Sequence, residues 1–279
     1  MMTPVAPVTT SSVLLPALRA LSEELGEIAP RLATDDSEAV HDLRVALRRL
    51  RSLLRPARQV FGRWHADFAR AELGRVAQLT NALRDEEALR ETLDKVASTA
   101  RLRAIVAKLV KVRAARDRSR RRAFLRQVEG GALRDARRGL AALVHLPVHP
   151  RRDGDGRKFA AKVWKRSLKD VDALGVPADA DVEGLHALRI AYKRVRYLAM
   201  GLAPLLDPAT ELVKKRAERV QKRLGDVHDL DVARVVVVRS RSLSLPERAA
   251  LLAAIARARA VALARFHEVR LAEAAEPTA

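Results

Sequence analysis

The chain has 279 residues, 48% of them hydrophobic, enough for one large domain or two of moderate size, each with a real core. No apolar run approaches a membrane span, and the absence of cysteine excludes disulfides and thiolate metal sites and fits a reducing, cytoplasmic setting. Lys and Arg total 54 against 34 Asp and Glu, a net of +20 that points to a polyanionic partner, while aromatics at 3% offer few surfaces on which bases could stack.

The opening stretch MMTPVAPVTTSS has no basic start before a long apolar run, so residues 1–12 are expected to form a disordered arm rather than a secretory signal. From there Leu, Ala, Arg and Glu dominate, and apolar residues recur at steps of three and four. Helices are expected near 13–33, 37–62, 65–97, 98–129 and 131–145. The breaker-rich string LPVHPRRDGDGR places a linker at 147–156. Further helices are expected near 157–174, 181–205, 209–239 and 246–274, with a frayed tail at 275–279. Pro204, Pro208 and Pro246 mark junctions, because proline suits a helix start better than its interior. The string VARVVVV (232–238) is β-branched but continues the helical period, and reads as a buried helix end. The fold class is therefore all-α.

An internal repeat is expected. VHDLRVALRRLRSLL (40–54) aligns with LHALRIAYKRVRYLA (185–199), which sets His41 on His186, Arg44 on Arg189, Arg48 on Lys193, Arg49 on Arg194 and Arg51 on Arg196 at an offset of 145. NALRDEEAL (81–89) then meets GDVHDLDVA (225–233), setting Asp85 on Asp229 and Glu87 on Asp231 at an offset of 144. Two blocks at nearly one offset imply a tandem duplication. The expectation is two pseudo-symmetric four-helix bundles, 13–146 and 157–274, with long helices lining a basic central groove.

On a helix at about 100° per residue, Arg44, Arg48, Arg51 and Arg55 fall in one narrow stripe beside the apolar stripe of Val40, Leu43, Leu47, Leu50 and Leu54. His186, Arg189, Lys193 and Arg196 repeat the arrangement, with Arg49 and Arg194 alongside. Like charges at i,i+4 repel, so a one-sign stripe costs stability unless an anion relieves it. The guanidinium fork suits phosphate oxygens, and about four turns at 1.5 Å per residue span roughly 20 Å, long for one phosphate and suited to a chain of them. The competing explanation for any single arginine is an ion pair with an acid on a neighbouring helix. His41 and His186, recurring at one place, are either contacts to the anion or structural hydrogen-bonders. Lys162, Lys165, Arg166 and Lys169 step along the helix before the second stripe and join the candidate surface, as do Arg219 and Lys222. From Arg101 to Arg126 there are eleven Lys or Arg and a single acid, Asp117, either an extension of that surface, a nonspecific nucleic-acid contact or a solvated face.

His-Asp occurs twice, in VHDLR (40–44) and VHDLD (227–231), which at first sight suggests a split metal site. The repeat separates them: Asp42 corresponds to Ala187, and His228 to Arg84, so only His and Arg recur in one block and only the acid in the other. Asp85 and Asp229 are expected to orient the arginines rather than to bind metal, and neither a metal nor a cofactor is expected.

The pattern His-x-x-Arg-[Val/Ile]-x-x-[Arg/Lys]-Arg-x-Arg at 41–51 and 186–196, with Leu-Gly-x-x-His-Asp-x-Asp-Val at 224–232, resembles the CHAD domain, the conserved-histidine α-helical domain. Residues 80–88 depart from the second motif, with Thr80-Asn81 in place of Leu-Gly and Glu87-Ala88 in place of Asp-Val. The resemblance runs from about residue 13 to 272 and implies two helical bundles around a basic cavity that binds inorganic polyphosphate, in proteins associated with cytoplasmic polyphosphate granules. Many relatives carry a triphosphate-tunnel enzyme domain with a Glu-x-Glu-x-Lys strand; no such string occurs here, so a stand-alone, non-catalytic module is expected. A metal-dependent phosphohydrolase using the His and Asp residues and a weak, nonspecific nucleic-acid binder are the alternatives. No membrane association is expected.

Overall fold

A computed structural model describes residues 8–34, 36, 38–145 and 153–275. Among these, nine α-helices follow in order: α1 (Thr10–Arg31), α2 (Ala39–Phe61), α3 (Arg63–Val96), α4 (Ala100–Glu129), α5 (Ala132–His145), α6 (Gly156–Asp172), α7 (Val182–Leu202), α8 (Thr210–Val238) and α9 (Leu245–Ala275). One 3₁₀ turn, Ala203–Leu205, follows α7. No strand occurs among the described residues, and the fold is all-α, as the periodicity predicts.

Local chemistry explains the boundaries. Thr99 Oγ1 accepts the Leu102 N–H, Asp155 Oδ1 those of Arg157 and Lys158, and Asp181 Oδ1 that of Gly184, so α4, α6 and α7 each begin on a side-chain cap. α9 begins on a capping box: Ser244 N–H donates to Glu247 Oε2 at 2.7 Å, and Glu247 N–H donates back to Ser244 Oγ. Gly62 (φ 85°) and Gly131 (φ 99°) turn the chain between α2 and α3 and between α4 and α5, at angles that other residues adopt only under strain.

Two expectations need correction at the chain's joints. Residues 9–12 are not part of a disordered arm: Thr9 caps α1, and Ser11 donates through its N–H at 2.7 Å and its hydroxyl at 2.5 Å to the Asp153 carboxylate. Thr9 and Asp155 form an isolated antiparallel bridge, so the end of the expected linker is held against the start of α1. Residues 1–7, 146–152 and 276–279, and with them most of the expected arm, linker and tail, lie outside the described residues. The second correction concerns VARVVVV: it is helical, but only Ala233 and Val237 are buried, while Val235 and Val238 are exposed.

The chain gathers into two compact units. The first comprises Met1–Asn81, Phe124–Asp170 and Arg194–Lys214; the second comprises Ala82–Ala123, Val171–Lys193 and Lys215–Ala279. These units do not follow the expected halves 13–146 and 157–274: each takes stretches from both, and α3, α4, α7 and α8 each contribute to both units. In the first unit Leu14, Leu18, Leu21, Leu25 and Ile28 of α1 are buried together with Leu43, Leu47, Leu50 and Leu54 of α2, a three-and-four spacing that makes one apolar face per helix. In the second, Leu185 and Leu188 of α7, Val220, Leu224 and Val227 of α8, and Ile255 and Phe266 of α9 supply the core. No helix among the described residues is long and apolar enough to cross a membrane.

Candidate anion-binding site

The first unit holds the whole α2 stripe. With its apolar face buried, α2 sets Arg44, Arg48, Arg51 and Arg55 along one flank. Arg44 Nη1 donates to Thr80 Oγ1 at 2.7 Å and to Asn81 Oδ1 at 3.1 Å, both on α3. Arg48 donates to the Tyr197 hydroxyl at 3.0 Å and lies over its ring at 5.7 Å; Arg196 approaches the same ring at 5.5 Å. Neutral partners of this kind fix a guanidinium's position without cancelling its charge.

Further along α2, Arg55 and Arg58 meet Arg166 of α6 and Arg194 of α7 around a cavity of about 300 Å³, which Ser52, Gln59 and Ser167 also line. Pro56 sits inside α2 at the cavity wall, and its missing N–H leaves the Ser52 carbonyl without its helical donor. Two carboxylates temper the set: Asp170 accepts from Arg194 at 2.7 Å, and Asp67 pairs with Arg58. The cations still outweigh them. Burial, then the charges of Arg70, Arg58 and Arg166, push Arg55 below its ordinary pKa. Burial and Arg55 do the same to Arg194, against the opposing pull of Asp170. Burial and Arg51 lower Arg70. The Nε atoms of Arg51 and Arg70 are buried without a hydrogen-bond partner. A site in which several guanidiniums strain against one another is one that an anion stabilises.

The second unit has a different cluster. His186 and His228 face each other Nδ1 to Nδ1 at 3.1 Å, with ring centroids 4.5 Å apart. Only one of the facing nitrogens can carry a proton in that contact. Burial first, then Arg189, His186 and Lys193, push His228 down to about 4; burial, Arg189 and Lys193 lower His186. Asp229, next in the chain, is raised by burial, against the charges of Arg189, Arg84 and Lys193. Burial alone would lower Arg84, but its hydrogen bond to Glu87 and the charges of Glu87, Glu91 and Asp229 raise it. Among the described residues no group of three or more His, Cys, Asp or Glu is placed to hold a metal ion.

The expected site residues therefore separate into sets. Arg48, Arg51, Arg55, Arg166, Arg194 and Arg196 gather in the first unit, and His186, Arg189 and Lys193 in the second, with Asp229 beside them. Arg49 lies apart, paired with Glu24 of α1 at 3.0 Å. His41 is exposed at the start of α2; Lys162, Lys165 and Lys169 are exposed on α6, and Arg219 and Lys222 on α8. Asp85 is exposed and makes no ion pair with a described residue, so it orients none of these arginines. In the segment 101–126, Arg113 and Arg120 both hold the buried Glu86, an internal pairing rather than a ligand surface.

Sequence reasoning passed over Arg58, Arg70, Arg84, Tyr197 and His228. Arg58 was within reach, since it continues the α2 stripe one step past Arg55. Arg84 and His228, which the sequence alignment sets opposite each other, both stand in the second cluster; treating only the aligned acid as meaningful hid them.

The family described as CHAD domain matches residues 12–238. The chain belongs to the CHAD-domain family. Its structure is similar to that of a CHAD domain from the plant Ricinus communis, with a TM-score of 0.72 at 21% identity over 99% of this chain and 95% of that one. It is also similar to PptA from Streptomyces chartreusis, with a TM-score of 0.74 at 20% identity over 95% of this chain and all of the other. At such identities the likeness to these two structures concerns the fold. No curated protein matches the chain.

Proposed function

We propose that the chain binds inorganic polyphosphate and holds it without turning it over. The observation that carries this reading is the convergence of Arg55, Arg58, Arg166 and Arg194 on one cavity of the first unit, in excess over Asp67 and Asp170. Guanidinium forks take two phosphate oxygens at once, and a chain of phosphates presents such oxygens repeatedly. The cluster of Arg189, Lys193 and Arg84 in the second unit supplies further positive charge beside a histidine pair. Membership of the CHAD-domain family supports the reading, because the resemblance of the His-x-x-Arg and His-Asp-x-Asp motifs implies the same ligand. Polyphosphate granules in the cytoplasm are the setting that this ligand implies.

The histidine of the His-Asp-x-Asp motif does not favour catalysis. His228 meets another imidazole rather than a carboxylate, and its proton affinity is low for a general base at neutral pH. Incubation with long-chain polyphosphate, with and without Mg²⁺ or Mn²⁺, is expected to give saturable binding and no orthophosphate. Orthophosphate release that tracks the purified protein would overturn the non-catalytic reading.

A further inference from the structure

One feature of the first unit has no part in the arginine cavity. Trp64 is 73% exposed and Phe68 49%, in a chain with only two tryptophans. The two rings lie parallel, at 7° with centroids 5.9 Å apart, and the His65 ring stands edge-on to Trp64 at 87°. Support continues beneath them. On α5, Gly139 faces Phe68: a Cβ added there would meet its Cε1 at 3.5 Å, an ordinary van der Waals contact. Phe68 therefore lies between Trp64 and α5, and Trp64 opens to solvent. An indole held in one orientation from behind and left open in front is preorganised for a flat partner.

The surrounding charge narrows the choice. Asp67 is shared by Arg58 and Arg63, and Asp135, one turn before Gly139 on α5, is shared by Arg134 and Arg138. Glu72, which lies beside Gly139, is matched by Arg75, so five arginines stand against three acids and the rim around the rings is net positive and complements phosphate. Polyphosphate has no π-face and gains nothing from the indole. A lipid surface requires a continuous apolar helix face, whereas here the face that carries the rings continues into the charged Glu72 and Arg75. Bases have π-faces, and in single strands those faces are accessible.

We propose that the Trp64–Phe68 pair, with its arginine rim, is a stacking platform for single-stranded nucleic acid. The rings themselves do not line the arginine cavity, although Arg58 and its partner Asp67 border both, and the proposal does not depend on polyphosphate binding.

Tryptophan fluorescence tests it directly, because Trp164 is buried and Trp64 alone is open to a quencher. Titration with short oligo(dT) and oligo(rU) is expected to quench the emission saturably. Inorganic polyphosphate, duplex DNA and anionic phospholipid vesicles are expected not to. Trp64→Ala should weaken oligonucleotide binding about ten- to hundredfold, and Trp64→Phe should restore most of it. Circular dichroism and polyphosphate binding of both variants should stay unchanged, which separates loss of stacking from loss of fold. Unaltered oligonucleotide affinity in Trp64→Ala would overturn the proposal. So would equal quenching by polyphosphate, duplex or vesicles, or a concentration-dependent self-association that buries Trp64.

Discussion

Two imidazoles facing each other nitrogen to nitrogen can share one proton but not hold two without moving apart. His228 sits in that position against His186, with Arg189 and Lys193 of α7, Arg84 of α3 and the carboxylates of Asp226 and Asp229 around the pair. An unfolded His228 takes its proton near 6.5, the folded one only near about 4. Between those values the unfolded state binds more protons, so stability falls as pH drops through that window and is flat above it. Denaturant midpoints measured from pH 8 downward should show this decline, and His228→Asn should flatten it. A polyanion bound beside the pair works the other way, favouring the protonated ring, so affinity should rise over the same acid window. At this scale the sequence was partly readable. The α2 arginines declare themselves because one sign fills one stripe. Asp85 misled, because a shared repeat position says nothing about which way a side chain points. In the first cluster, Arg55→Glu with Arg166→Glu replaces two attractive charges by repulsive ones on the cavity wall. Polyphosphate affinity should drop by more than about tenfold, with helicity unchanged, as read by titration beside circular dichroism.

The helices themselves were the most legible level. Apolar spacing, side-chain caps and turn glycines act locally, so the elements fall within a few residues of where the periodicity places them. What local signals do not carry is the identity of a partner across a helix interface. The basic run on α4 is an example: its composition fits a ligand surface, a nucleic-acid contact or a solvated face alike, and two of its cations, Arg113 and Arg120, reach the buried Glu86 of α3 instead. Glu86 is held below its usual pKa by the hydrogen bond from Arg113 and the charges of both arginines, despite the opposing effect of burial. Glu86→Gln removes the charge that both guanidiniums share and should cost about 2 kcal/mol of stability in chemical denaturation. If stability is unchanged, α4 is positioned by its apolar contacts alone, and its arginines are available to a ligand. VARVVVV makes the same point in reverse: helix propensity and neighbours kept it helical, but the surface available to bury it covers only Ala233 and Val237.

At the scale of the whole molecule, net charge is the property that composition states outright, and tertiary grouping is the one it conceals. The expected halves are contiguous in sequence. The compact units are not, because long helices such as α3 and α7 pass from one unit into the other. Each unit accordingly carries a basic cluster of its own composition, arginines around a cavity in one and a histidine pair with Arg189 and Lys193 in the other. Binding of a dense polyanion to such clusters releases counterions, so log affinity should fall linearly with log salt concentration, and each arginine removed should reduce the slope by about one. On the proposed function, these clusters recognise a phosphate polymer rather than negative charge in general. Competition at physiological salt tests it: labelled long-chain polyphosphate bound to the protein is challenged with unlabelled polyphosphate or with duplex DNA matched in total charge. Displacement by unlabelled polyphosphate, with duplex DNA far weaker, is the predicted result; equal displacement by duplex DNA would contradict it.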